Sequence, residues 1–162
     1  MSAIDEIRRD LEAARADQIA AREGGTQAEF DRRPPGEVSD DEQRWPIVEV
    51  LWHIGQVEDR FRRAIDQGLD GRPVVADPTR PRPAHLTTLA LLREWLDQSR
   101  RPTESLLRRM TDAALDVEIT RADGSTRTPR RYLAIIANHD HEHAAQVRAL
   151  RAVESLPAGG EV

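Results

Sequence analysis

The chain has 162 residues and a formal net charge of −5, with 29 acidic and 24 basic side chains. This length indicates a single domain with room for a real core. The composition is 38% hydrophobic, 4% aromatic and 33% charged, which favours a soluble helical protein. The longest apolar run, Leu133–Ala137, excludes a membrane span, and the charged N-terminus has no signal-peptide core. We therefore expect a cytoplasmic protein with no membrane partner.

Cysteine and lysine are both absent, so all 24 basic residues are arginine. The chain therefore has no disulfide, no thiolate ligand and no catalytic thiol of its own. Schiff-base catalysis and a P-loop lysine are excluded as well. Acidic residues are interspersed with the arginines, which argues against nucleic acid as a partner. Pairs such as Arg62-Arg63 and Arg100-Arg101 are expected on solvated helix faces.

Four segments have the periodicity of helices, and the breaks between them are rich in proline and glycine. The first begins near Ser2, where the spacing to Asp5 matches a capping box, and it ends at Gly24-Gly25. Its expected inward residues are Ile4, Ile7, Leu11, Ala14 and Ile19. Residues 26–44 are predicted to form a loop with at most one short turn.

The second helix is predicted to start at Pro46, the favoured first-turn residue, and to run to Gly68. Residues 69–84 contain four prolines and are expected to be extended and irregular. A connection of that length can span a neighbouring helix, which permits the second and third helices to lie parallel.

The third helix, Leu86–Met110, has Pro102 in its middle, where we expect a kink or a break. Residues 111–127 are predicted to contain a small β-turn excursion. Thr128 and Pro129 then predict a sharp start to the fourth helix, which ends before Pro157. The expected domain covers residues 1–156, and residues 157–162 form a flexible tail.

Three of the five histidines fall within five residues, in the run His139-Asp140-His141-Glu142-His143. On a helix, His139 and His143 are about 40° apart, whereas His141 points about 200° away from His139. The face of His139 and His143 continues into an apolar stripe, so both rings are predicted to point inward. His141 and His85 are expected at the surface.

Two inward imidazoles one turn apart can bind the same cation. His53 is the natural third ligand, because it lies on the inward arc of the second helix with Val50, Val57 and Phe61. Three neutral imidazoles leave the positive charge of a metal uncompensated and positions open for water, hydroxide or an anionic substrate atom.

The run from Trp45 to His53, followed by an H-x-x-x-H in the last helix and Gln146, resembles the DinB/YfiT-like family of metalloenzymes. This resemblance covers nearly the whole chain. It implies an all-α four-helix bundle with up-down-down-up order and long connections between helices two and three and between three and four. It also implies that His53, His139 and His143 bind one divalent metal, commonly zinc or nickel, and that the chain forms homodimers.

Relatives in that family include transferases and isomerases that use mycothiol, bacillithiol or glutathione. A metal would lower the pKa of a bound thiol or water, and a chain without cysteine suits a thiol that arrives as cosubstrate. Glu49, one turn before His53, is a candidate for orienting that histidine or accepting a proton. Three aromatic residues are predicted to line the substrate pocket: Trp45, Trp52 and Tyr132. Arg131 and its neighbours Arg127 and Arg130 are candidates for binding a substrate carboxylate.

Three functions stay open at this point. The first is a metal-dependent thiol transferase that acts on small electrophiles. The second is a hydrolase that uses metal-bound water as its nucleophile. The third is a non-catalytic helical module that a metal holds together.

Overall fold

The computed structural model describes residues 2–34, 44–75 and 78–152, and it is dominated by helices. There are four long helices and one short one: α1 (Ala3–Arg22), α2 (Gln27–Asp31), α3 (Ile47–Leu69), α4 (Leu89–Arg109) and α5 (Pro129–Ala152). Between α4 and α5 lie a 3₁₀ helix and a two-stranded hairpin: Asp112–Asp116, then β1 (Ile119–Thr120) and β2 (Thr126–Arg127). None of the helices in these described segments is long and apolar enough to cross a bilayer.

The helix starts follow local capping chemistry. Ser2 and Asp5 form the predicted capping box at the start of α1, and Thr26 forms a second one that begins α2. Pro46 is the N-cap of α3 rather than its first helical residue. At α5 the Thr128 hydroxyl accepts a hydrogen bond from the Arg131 backbone N–H, as the sequence predicted. The predicted end of α5 and the predicted tail at residues 157–162 lie outside the described residues.

The order of the four long helices is up-down-down-up. Contacts advance in the same direction along α3 and α4: Trp52 with Trp95, Glu58 with Arg100, and Asp66 with Arg109. They run in opposite directions along α3 and α5: His53 with His143, and Phe61 with Tyr132. Contacts between α1 and α5 are parallel: Arg15 with Asp140, Asp17 with Arg148, and Ala21 with Arg151. The long connection between α3 and α4 makes the parallel pair possible.

Two sequence expectations for the helices were wrong. The predicted break at Pro102 does not occur, because α4 is continuous through it, while a kink at this position stays a prediction. Pro102 has no N–H, so the backbone carbonyl of Gln98 has no hydrogen-bond donor within the helix. Both residues are exposed, so water can donate to that carbonyl. Ile19, expected inward on α1, is exposed, and the polar Gln18 beside it is fully buried.

The core consists of two apolar clusters with a polar layer between them. One cluster joins the start of α1, the ends of α3 and α4, the hairpin and the start of α5. The other joins the end of α1 with the start of α3, the start of α4 and the later turns of α5. Each of the four long helices therefore changes from one cluster to the other near its middle, where its buried side chains are polar.

Four charged side chains, one from each long helix, meet in this polar layer. Arg15 contacts Glu58 at 2.5 Å and Asp140 at 3.1 Å, and Arg100 contacts the same two carboxylates at 3.0 and 2.6 Å. The two carboxylate side chains are only 1% exposed. The charges balance, so every buried ion has two partners of opposite sign. Arg100 had been expected on a solvated face, and this expectation was wrong.

Burial destabilises the charged form of both the acidic and the basic side chains of this quartet. It raises the pKa of the Glu58 carboxyl and lowers the pKa of the Arg100 guanidinium, while their mutual attraction opposes both shifts. Removal of one partner leaves the others desolvated and unbalanced, which is the costly event for a buried ion network.

We predict that Glu58→Gln lowers the free energy of unfolding by about 3 kcal/mol, because both arginines then share only Asp140. Urea unfolding followed by circular dichroism measures the change. The matched control is Asp59→Asn on the same helix, where the carboxylate pairs with Arg62 and Arg63 at the surface. That control is expected to cost less than about 1 kcal/mol. Equal losses in the two variants would contradict a special role for the buried network.

Candidate metal centre

The three predicted histidines lie together where α3 and α5 run antiparallel. His53 comes from the second turn of α3, and His139 and His143 come from consecutive turns of α5. Residues four apart on a helix share a face, so His139 and His143 need no loop to bring them together. His53 and His143 are buried, and His139 is half-buried.

Each of the three histidines has a ring nitrogen within 4.8 Å of a ring nitrogen of the other two. The distance from His139 Nε2 is 3.1 Å to His53 Nε2 and 3.0 Å to His143 Nε2. In a tetrahedral zinc site with bonds of 2.0–2.1 Å, ligand nitrogens are separated by about 3.3 Å. The observed spacing is close to this value, and the three side chains form a group that could hold a metal ion.

Gln146 determines which nitrogen of His143 carries the proton. The Gln146 Oε1 atom lies 2.6 Å from His143 Nδ1 and accepts its N–H hydrogen bond. This leaves the lone pair of His143 Nε2 directed at His139 Nε2. If His139 Nε2 carries a proton, it can donate a linear hydrogen bond to only one of its two neighbours and has no lone pair to accept from the other. If it carries none, its lone pair faces that of His143 Nε2. A cation between the three nitrogens would satisfy all of them, so the residues fit a metal.

The His139 ring is held in its neutral form. Burial, followed by the charges of His143, His53 and Arg60, lowers the pKa of His139 to about 2. A neutral imidazole is the form that donates a lone pair to a metal. The same environment that makes a proton unfavourable therefore keeps this ring available as a ligand.

Two predicted neighbours of the histidines have clear positions. The ring of Trp45 meets His53 edge-on, with centroids 5.2 Å apart, and so forms one wall beside the site. Glu49 forms an ion pair with Arg82 at 2.9 Å, and Arg82 also donates to the Leu86 carbonyl. This pairing connects α3 to the segment before α4. The proposed roles of Glu49 as a proton acceptor and of Trp45 as a pocket residue stay predictions.

The other predicted pocket residues have contacts with residues other than the three histidines. Trp52 packs against Trp95 and borders a separate cavity of about 80 Å³. Tyr132 packs against Phe61 and lines a larger cavity. Arg131 is exposed, and no contact places it at the histidines. His141, predicted at the surface, is exposed and pairs with Asp17.

Three parts of this region were not predicted from the sequence. Asp140 was not predicted as a site residue, yet it anchors α5 in the ion quartet, between the candidate ligands His139 and His143. The hydrogen bond from His143 to Gln146 was not predicted, although the spacing of three residues on one helix could have suggested it. Arg60 acts on His139 from two turns beyond His53, and nothing in the sequence distinguished it from the other arginines.

Comparison with solved structures shows the fold. A crystal structure described as the conserved protein of locus from Enterococcus faecalis is similar to this chain, with a TM-score of 0.67. The alignment covers 94% of this chain and 97% of that chain at 16% sequence identity. No match was found among curated proteins.

Family membership follows from the sequence comparison. The family model of the DinB superfamily matches residues 10–147, which include α3, α4, most of α1 and α5, and the three histidines. This agrees with the resemblance seen in the sequence and with the all-α fold. The chain belongs to the DinB superfamily.

Proposed function

We propose that this protein binds one divalent metal ion, zinc or nickel, through His53, His139 and His143, and activates a low-molecular-weight thiol for transfer to a small electrophile. The observation that carries this proposal is the grouping of the three rings: His139 Nε2 lies 3.1 Å from His53 Nε2 and 3.0 Å from His143 Nε2, and the candidate ligand atoms all lie within 4.8 Å of one another. Membership of the DinB superfamily supports it.

The composition of the ligand group favours a reactive centre over a purely structural one. Structural zinc sites have four protein ligands, whereas catalytic sites commonly have three and an open position. Within the described ranges, no fourth histidine and no carboxylate joins the group of three. Three neutral imidazoles also leave the charge of a divalent ion uncompensated, which favours an anionic ligand from solution.

A divalent ion held by these residues supplies a Lewis acid, which lowers the pKa of a thiol or water that reaches it. The chain's own residues hold the site in shape. Gln146 fixes the tautomer of His143, and Trp45 packs against the ring of His53. The half-buried position of His139 leaves this ring as the most accessible of the three.

The proposed reaction forms one carbon–sulfur bond. The cosubstrate thiol loses its proton to solvent, and its sulfur attacks the electrophilic carbon. The bond to the leaving group breaks, and that group departs with the bonding electrons. Because the chain has no cysteine, the attacking sulfur must come from a bound small molecule.

We predict that untagged wild-type protein binds about one zinc or nickel ion per chain, and that His139→Ala lowers metal affinity at least 100-fold because it removes one of three ligands. Metal analysis after gel filtration measures the bound ion. His141→Ala is the matched control, because His141 lies two residues away, on the outer face, and pairs with Asp17. Full metal occupancy in His139→Ala would contradict the proposed site.

We also predict that Gln146→Ala weakens metal affinity by about 10–100-fold, since a hydrogen bond to the distal nitrogen orients a histidine ligand. Competition with a coloured chelator gives the affinity. Gln98→Ala serves as control, because the Gln98 side chain donates a hydrogen bond to Glu94 on the exposed face of α4. Equal affinities in the wild type and Gln146→Ala would show that Gln146 does not support the ligand.

The thiol reaction is tested with chlorodinitrobenzene as electrophile and a panel of cellular thiols. We expect thioether formation that chelation abolishes, that added zinc or nickel restores, and that His139→Ala lacks. Ester hydrolysis without any thiol would instead support the hydrolase. If metal removal unfolds the protein while neither reaction occurs, the ion is a structural element and the proposed transferase is wrong.

A further inference from the structure

A cavity of about 590 Å³ lies beside α3, under the hairpin, and no role has been assigned to it. Its walls come from the second half of α3, the strand-like residues Val74 and Val75, the hairpin, and Tyr132 of α5. This volume falls within the range of small-molecule sites. The hairpin is held over α3 by close packing, because Ile119 of β1 lies directly against Gly68.

Arginine is the dominant charged residue of the cavity wall. Arg60, Arg63, Arg121 and Arg127 line it, and Asp123 is the one acidic residue among the lining residues in the described part of the chain. Asp123 pairs with Arg121 at 3.2 Å, and Arg63 pairs with Asp59 at 3.0 Å. The cavity is therefore electropositive, although the protein as a whole is acidic.

Two of these arginines are arranged to receive an anion. The guanidinium of Arg60 lies 5.1 Å from the ring centroid of Phe61, and that of Arg127 lies 5.0 Å from the ring centroid of Tyr132. The two rings pack against each other with centroids 5.6 Å apart. Neither guanidinium has an ion pair with a carboxylate of the described segments. A stacked guanidinium keeps its N–H edge free, and that edge matches the two oxygens of a carboxylate.

The register of the helices connects this cavity to the histidines. Arg60 lies seven residues after His53 on α3, and Tyr132 lies seven residues before His139 on α5. Seven residues are nearly two full turns, so each pair shares a helix face and is separated by about 10 Å along the helix axis. Because α3 and α5 are antiparallel, Arg60 and Tyr132 both lie toward the same end of the bundle from the histidines.

We propose that the cavity is the binding site for the carboxylate end of the thiol cosubstrate, with Arg60 and Arg127 as its carboxylate-binding residues. This inference rests on the proposed function, since the thiol end of the same molecule extends toward the three histidines. The substrate class is then a small carboxylate-bearing thiol that spans about 10 Å, rather than a neutral or cationic thiol.

The binding step is tested without any turnover by titration calorimetry with S-methylglutathione, which keeps both carboxylates but has a blocked sulfur. We expect saturable binding to the wild type that weakens at high ionic strength. Arg60→Gln and Arg127→Gln are each expected to weaken binding at least tenfold. Arg108→Gln, an exposed position on α4 outside the cavity, makes the same change in net charge and is expected to bind like the wild type.

The diester of S-methylglutathione provides a ligand-side control, because it has the same shape without the two negative charges. We expect it to bind at least tenfold more weakly than the acid. Absence of wild-type binding, or equal binding by the wild type and both cavity variants, would overturn the carboxylate site. Thermal unfolding of each variant checks that a lost affinity is not a lost fold.

Steady-state kinetics then separate the thiol from the electrophile. With glutathione and the uncharged chlorodinitrobenzene, both cavity variants are expected to raise the KM of the thiol at least tenfold and to leave the KM of the electrophile unchanged. The opposite pattern would assign the cavity to the electrophile and overturn the proposal. Because the calorimetric arm needs neither metal nor reaction, failure of the transferase proposal is distinguishable from failure of the carboxylate site.

Discussion

The buried ion quartet sets the positions of the four long helices relative to one another. Arg15, Glu58, Arg100 and Asp140 each come from a different helix, and each contacts two partners of opposite charge. The attraction between apolar side chains above and below this layer has no preferred direction. Hydrogen-bonded ion pairs have one, and three of the four contacts are of this kind: Arg15 with Glu58, Arg15 with Asp140, and Arg100 with Asp140. We infer that the quartet fixes helix register, a role best known for buried polar groups in coiled coils.

The candidate metal centre depends on that register. Asp140 lies between His139 and His143 on α5, and Glu58 lies five residues after His53 on α3. A shift of α3 past α5 by one residue would move His53 by about 1.5 Å relative to the other two rings. Metal–nitrogen bonds have tolerances of about 0.2 Å, so a shift of that size would separate the ligands. The ion quartet therefore keeps the three candidate ligands within bonding distance of one metal ion.

Much of the fold could be predicted from short-range features of the sequence. Ser2 and Thr128 mark helix starts through short-range hydrogen bonds, and Pro129 does so through its fixed φ. The spacing of His139 and His143 is a property of any helix. The burial of Arg100 and Asp140 could not be predicted in this way. Periodicity assigns charged residues to the surface, and only the approach of three other helices compensates their charge. The arginine-lined cavity has the same origin, since its walls come from segments far apart in sequence.

Helix α5 contributes both to the candidate metal centre and to the ion quartet, because consecutive residues on a helix point about 100° apart. His139 faces the groove shared with α3, while Asp140 faces the arginines of α1 and α4. A rotation of α5 that improved one contact would weaken the other. Tyr132 and Phe61 lie about two turns from the histidines on the same two helices, and both line the electropositive cavity. A single helix pair, held by the quartet, thus places a candidate metal centre and a candidate anion site at a fixed separation.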